Sequence, residues 1–123
     1  MLHRRELQIM KVIWRKGKAT VREIYRELLK GEEIAYTTVA TILKNMERKG
    51  IVAHEVDGRT YVYKPLVSEE EVSQSMLQDL LDRVFDGSAE MLLNALIKTG
   101  RLSKRELEEL WRRVESFEEE GDA

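Results

Sequence analysis

Seven residues between positions 36 and 48 carry the side chains best suited to chemistry: Tyr36, Thr37, Thr38, Thr41, Lys44, Asn45 and Arg48. These are hydroxyls, one amide and two long cations. Such groups hydrogen-bond base edges and neutralise phosphates; they do not make or break covalent bonds. At about 100° per residue, Thr37, Thr41, Lys44 and Arg48 gather on one side of a helix, with Asn45 beside them. Val39, Ile42, Leu43 and Met46 gather opposite and require a core. Taken alone, the segment fits a solvated helix face as well as a nucleic-acid reader. Tyr36 could bond a phosphate through its hydroxyl or pack at the helix entry. Lys49 lies off the polar face and reads as solvated.

Other chemistries lack their residues. His3 and His54 are the only histidines and lie far apart. His54 reads as a partly packed strand residue opposite Tyr61. There is no glycine-rich phosphate loop, nucleophile elbow or zinc-ligand spacing. Glu32-Glu33 and Glu69-Glu70-Glu71 read as solvent-facing and helix-start charge. The absence of cysteine excludes disulfides and thiolate metal sites and fits a reducing cytoplasm. No enzyme activity, cofactor or metal is expected. No apolar run approaches the length of a membrane span, and no signal-peptide pattern opens the chain, so a cytoplasmic protein without membrane partners is expected.

The net charge of -2 conceals a division: residues 1–64 carry +6 and residues 65–123 carry -8. A basic front half suits a polyanion; an acidic rear half suits another task.

These side chains must be positioned by the elements around them. A first helix runs from about Leu2 to Arg15, with Leu7, Met10, Ile13 and Trp14 as its apolar stripe, and Gly17 ends it. Thr20 and Glu23 form a capping box that opens a second helix bearing Val21, Ile24, Tyr25 and Leu28. The third helix starts at Tyr36 or Thr37 and stops at Gly50. The period then changes to alternation, and Asp57-Gly58 signals a hairpin whose returning strand is Thr60–Lys64, closed by Pro65. Three further helices follow, opened by Ser68 with Glu71, by Ser88, and by Ser103 with Glu106. They are expected to end near Phe85, Thr99 and Phe117, leaving Glu118–Ala123 as a frayed acidic tail.

The fold class expected is mainly α with a small β-hairpin wing: a winged helix-turn-helix domain over residues 1–66, then a three-helix dimerisation domain over residues 67–123. In such a module the third helix enters the major groove, braced by the second. The start of the second helix, near Thr20 and Val21, can offer N–H groups to a phosphate. Arg59 at the hairpin tip could meet the flanking backbone, or be a solvated turn cation. The rear helices carry apolar stripes: Leu77, Leu80, Leu81, Val84 and Phe85; Met91, Leu92, Leu96 and Ile97; Leu107, Leu110, Trp111, Val114 and Phe117. They could pack on the winged domain or on a second copy. The second is preferred, because a two-fold dimer matches palindromic half-sites and coupling two modules raises affinity.

Several strings carry a family resemblance: Glu6-Leu7-Gln8-Ile9-Met10 with Ile13-Trp14, Ala35-Tyr36-Thr37-Thr38-Val39-Ala40-Thr41, Lys49-Gly50-Ile51-Val52, Tyr61-Val62-Tyr63-Lys64-Pro65, Phe85-Asp86-Gly87-Ser88 and Leu102-Ser103. Over nearly its whole length the chain resembles the penicillinase-repressor family, the BlaI/MecI/CopY type of bacterial transcription regulators. The resemblance implies a homodimeric winged-helix repressor that covers operator DNA, with the carboxy-terminal helices forming the dimer. It also implies Thr37, Thr38, Thr41, Lys44 and Arg48 as the DNA-facing set. Two departures limit it. The cysteine-rich tail of copper-sensing members is absent. Where members of the resistance branch are cut after an Asn in a Leu-Asn-Phe-like segment, this chain has Leu93-Asn94-Ala95. The inducer and any sensor partner are therefore left open.

The leading expectation is a sequence-specific DNA-binding regulator acting on double-stranded operator DNA. The alternative is a winged-helix module used only for protein contact, a scaffold subunit without DNA binding. A small hydrolase or metal enzyme has almost no residue support.

Overall fold

A computed structural model describes residues 2–121. The chain divides into two compact units, Met1–Met76 and Leu77–Ala123.

In the first unit, α1 spans Arg4–Lys16. Its start is held where the His3 N–H donates to Glu6 Oε1 at 2.9 Å. It ends at Gly17, whose φ of 85° suits a residue without Cβ and whose N–H reaches the Ile13 carbonyl at 2.7 Å. The buried stripe is Ile9, Met10, Val12 and Ile13, together with Glu6. The expected stripe is thus rotated. Leu7 and Trp14 are only half-buried, and the indole N–H of Trp14 donates to the Val67 carbonyl at 2.9 Å.

Two residues, Ala19–Thr20, form β1, a strand the sequence reading missed. Helix α2 spans Val21–Leu29 and starts with the expected capping box: Glu23 N–H donates to Thr20 Oγ1 at 3.1 Å, and Thr20 N–H to Glu23 Oε1 at 3.0 Å. Helix α3 spans Tyr36–Arg48 and buries Val39, Leu43 and Met46. Gly50, at φ 80°, turns the chain out of it.

Strands β2 (Val52–Asp57) and β3 (Thr60–Pro65) form the hairpin, and the sheet order is β1-β3-β2. Asp57 pairs with Thr60, so the two-residue loop is Gly58-Arg59 and not Asp57-Gly58. Gly58 takes φ 65° at the first loop position, where a primed turn matches the twist of the strands. The core joins the three helices to the sheet: Ile9, Met10, Ile13, Ala19, Ile24, Val39, Leu43, Met46 and Val52 are fully buried.

Helix α4, Glu69–Val84, begins in the first unit and ends in the second; α5 (Ala89–Lys98) and α6 (Lys104–Gly121) follow. Ser68, Ser88 and Ser103 accept from the N–H groups of Glu71, Met91 and Glu106 as expected. Asp86 (φ 51°) and Gly87 (φ 77°) break the chain between α4 and α5. Helix α6 passes the expected stop at Phe117 and includes Glu118 to Gly121; the last two residues of the expected tail lie outside the described residues. No described residue from 77 to 120 is buried.

Candidate nucleic-acid interface

Helix α3 is held from behind by Val39, Leu43 and Met46, and that anchorage points its other side to solvent. Thr37, Thr41, Lys44, Asn45 and Arg48 are all exposed there, and Thr38 is half-buried at the margin. The Thr41 hydroxyl donates back to the Thr37 carbonyl at 2.9 Å. Its proton is therefore engaged inside the helix, and the hydroxyl oxygen of this exposed residue can still accept through its two lone pairs.

Two clefts flank this ridge. One, of about 540 Å³, is lined by Thr20, Val21 and Arg22 at the start of α2, by Tyr36, Ala40 and Lys44 of α3, and by Arg59, Thr60, Tyr61 and Tyr63 of the hairpin. The other, of about 610 Å³, is lined by His3, Arg4, Arg5 and Glu6 of α1 and its cap, and by Ile42, Asn45, Arg48 and Lys49. The fold thus brings Arg59, at the hairpin tip, into one cleft with Lys44 and Tyr36. Tyr36 packs at the helix entry, where its ring meets that of Tyr25 edge-on at 5.5 Å, and the residue is 45% exposed.

Three cations were missed by sequence reading. Arg22 sits two residues past the Thr20 cap, and Arg4 and Arg5 open α1. The only local signal was their position in the first turn of a helix, where cations oppose the helix dipole. Pairing separates them. Arg4 and Arg5 both lie near Glu32, at 3.8 and 4.0 Å. Among the described residues of the first unit, Arg22, Lys44, Arg48 and Arg59 have no carboxylate partner; Lys11, Lys18 and Arg26 also lack one but line neither cleft.

The N–H groups at the start of α2 are less open than expected, since those of Thr20 and Glu23 are held by the capping box. The Glu23 carboxylate is lowered in pKa first by the Thr20 N–H and then by Lys16, 3.5 Å away.

Lys49 is not a free surface cation. Its ammonium lies 2.9 Å from Glu6 Oε2, so the carboxy-terminal end of α3 is tied to α1. Burial pushes the Glu6 carboxyl up, but the His3 N–H, the Lys49 ammonium and the nearby charges outweigh it and hold the pKa below its usual value. His54 also differs from expectation. It pairs in register with Tyr63, not Tyr61, while its ring stacks on Tyr61 with centroids 4.1 Å apart. Its Nδ1 meets the Glu47 carboxylate of α3, which joins the base of the wing to that helix.

In the second unit the expected contact residues form open faces. Leu77, Leu80, Val84, Leu110, Trp111 and Val114 are exposed, Trp111 at 65%. Leu81, Phe85, Leu92, Leu96 and Leu107 are half-buried. Met91, Leu93, Ile97 and Phe117 are exposed as well. Asn94 lies exposed within α5.

Three helices and a hairpin wing, with a cationic third helix outermost, define a winged helix-turn-helix protein of the DNA-binding regulator class. The penicillinase repressor family matches residues 2–116, and the chain belongs to that family. It is accordingly a DNA-binding transcriptional regulator and not an enzyme. The penicillinase repressor of Bacillus licheniformis is 29% identical over 110 residues, covering 89% of this chain and 86% of that protein. The methicillin resistance regulatory protein MecI of Staphylococcus aureus (strain N315) is 25% identical over 105 residues, covering 85% of each. Among solved structures, the B. licheniformis BlaI monomeric form in complex with the blaP half-operator is similar at a TM-score of 0.51 and 32% identity, over 58% of this chain and 87% of that one. The DNA-binding domain of the repressor BlaI reaches 0.53 at the same identity and coverage. No helix among the described residues is long and apolar enough to cross a membrane.

Proposed function

We propose that the protein is a homodimeric repressor that covers a palindromic operator in the cytoplasm, with residues 1–66 contacting DNA and residues 67–123 pairing the two copies. The observation that carries this reading is the exposed ridge of Thr37, Thr41, Lys44 and Arg48, flanked by two cation-lined clefts and anchored from behind by the core. Thr37, Thr38, Thr41 and Asn45 face base edges in the major groove; Tyr36, Lys44, Arg48 and Arg59 meet phosphates and the outermost bases. The relative bound to a half-operator supports a site made of two such halves.

Dimerisation is supported by the second unit. Its three helices leave Leu77, Leu80, Val84, Leu110, Trp111 and Val114 facing water, and a second copy would cover them at about 25 cal/mol per Å² of apolar area. The acidic charge of residues 65–123 suits a surface that stays away from DNA.

Selection of bound duplexes from a random pool tests both parts. A recovered sequence with two inverted half-sites supports the reading. Recovery of a single unrepeated site would remove the two-fold arrangement, and failure to retain any duplex at low salt would leave a protein-contact module instead.

A further inference from the structure

The cleft on the amino-terminal flank of α3 contains a cation that base reading does not require. Arg22 of α2 shares it with Lys44 of α3 and Arg59 of the hairpin loop, and no carboxylate lines it. The nearest acidic residue in sequence, Glu23, is turned back onto the Thr20 N–H and Lys16. Arg22 stands in the first turn of α2, where its charge opposes the helix dipole, and it has no ion-pair partner among the described residues. Three unneutralised cations on three separate elements repel one another unless an anion lies between them.

The walls add neutral donors. Tyr36 and Tyr61 are both about half exposed beside the cations. Tyr63 is buried at the floor, and burial, with the charges of Glu47 and Tyr61, raises its pKa, so the phenol keeps its proton. Ala40, which lines the cleft between Tyr36 and Lys44 on α3, is too short to fill it.

We propose that this cleft seats the sugar-phosphate backbone of one DNA strand, and that Arg22 is a third phosphate-binding cation acting with Lys44 and Arg59. The seat fixes the depth and register of α3 in the groove and carries no sequence information of its own. The proposal rests on the reading of the protein as a duplex-binding repressor.

The test uses the full chain with two labelled duplexes: one selected by the wild-type protein from a random pool, and a scrambled duplex of equal length. Binding is measured between roughly 50 and 200 mM salt. Arg22→Ala and Arg22→Gln should weaken binding to both duplexes by the same factor. Each should make the log–log salt slope shallower by about 0.9 per bound protomer. Arg22→Lys should keep the wild-type slope, since an ammonium displaces the same counterion. Neither neutral variant should lower the thermal midpoint, because removing a cation from the start of α2 relieves the helix dipole. A wild-type slope in both neutral variants would overturn the proposal, as would a loss confined to the selected duplex, which would make Arg22 a base reader. A wild-type protein that retains no duplex in the selection would instead remove the repressor reading on which the proposal stands.

Discussion

Glu6 of α1 and Lys49, the residue that caps the carboxy-terminal end of α3, form a salt bridge at 2.9 Å, with the carboxylate buried and the ammonium about half exposed. The pair joins residues 43 positions apart and fixes the end of the helix that carries Arg48. The same carboxylate accepts the His3 N–H at the start of α1. One buried acid therefore ties the beginning of the first helix to the end of the third.

That acid should appear in the pH dependence of folding. Its folded-state pKa lies below the usual 4.5. Below that value the unfolded chain binds the proton more readily than the folded one, so stability falls as acid is added. The contribution is complete above about pH 4.5 and is lost as the pH drops through the lowered folded value. Glu6→Gln should lower stability at neutral pH by about 1 kcal/mol and flatten the acid limb of a denaturation series. An acid limb identical to wild type would show that the bridge contributes nothing.

Lys44→Ala with Arg48→Ala should leave folding within about 0.5 kcal/mol of wild type, since both side chains are exposed and unpaired among the described residues. Duplex binding should weaken, and the log–log salt slope should shrink by about 0.9 for each phosphate contact removed. Fluorescence anisotropy at several salt concentrations reads both quantities; unchanged affinity with an unchanged slope would move the DNA-facing surface elsewhere.

Thr41 makes an unequal pair of substitutions informative. Its hydroxyl proton is used by the Thr37 carbonyl, so the hydroxyl has no proton to give a base, and the proposed contact falls to the methyl group against a thymine methyl. Thr41→Val should therefore bind the selected duplex better than Thr41→Ser, by about 0.8 kcal/mol per protomer, the value of one methyl-sized apolar contact. The reverse order would mean that the hydroxyl turns outward to bond a base.

The proposed homodimer predicts that Trp111→Asp separates the two copies at low micromolar concentration. The indole is 65% exposed in the single chain, so its loss removes little packing within the protomer. Light scattering should report half the wild-type mass, with the helical circular dichroism of α4 to α6 largely kept. A variant with the wild-type mass would place any pairing surface away from α6.

The amino-acid sequence by itself determined the order of the six helices and the hairpin, most of their boundaries, and the two-sided character of α3. Capping boxes such as Thr20 with Glu23 and glycines at positive φ such as Gly17 and Gly50 act over a few residues, so their outcome is written locally. The alternation of β2 and β3 is local too, though not the loop register: Gly58-Arg59 rather than Asp57-Gly58 turns the chain because the strands pair Asp57 with Thr60. What only the tertiary structure decided is which charges stay free and where they meet. Strand β1 exists because Ala19 lies opposite Tyr63, more than forty residues on. Lys49 is neutralised by Glu6 from a distant helix, whereas Arg22, Lys44 and Arg59 are brought from three elements to one cleft. An ion pair falls off over a few ångströms, and the separations that matter are set by how the core packs. Residue spacing along the chain holds no record of them.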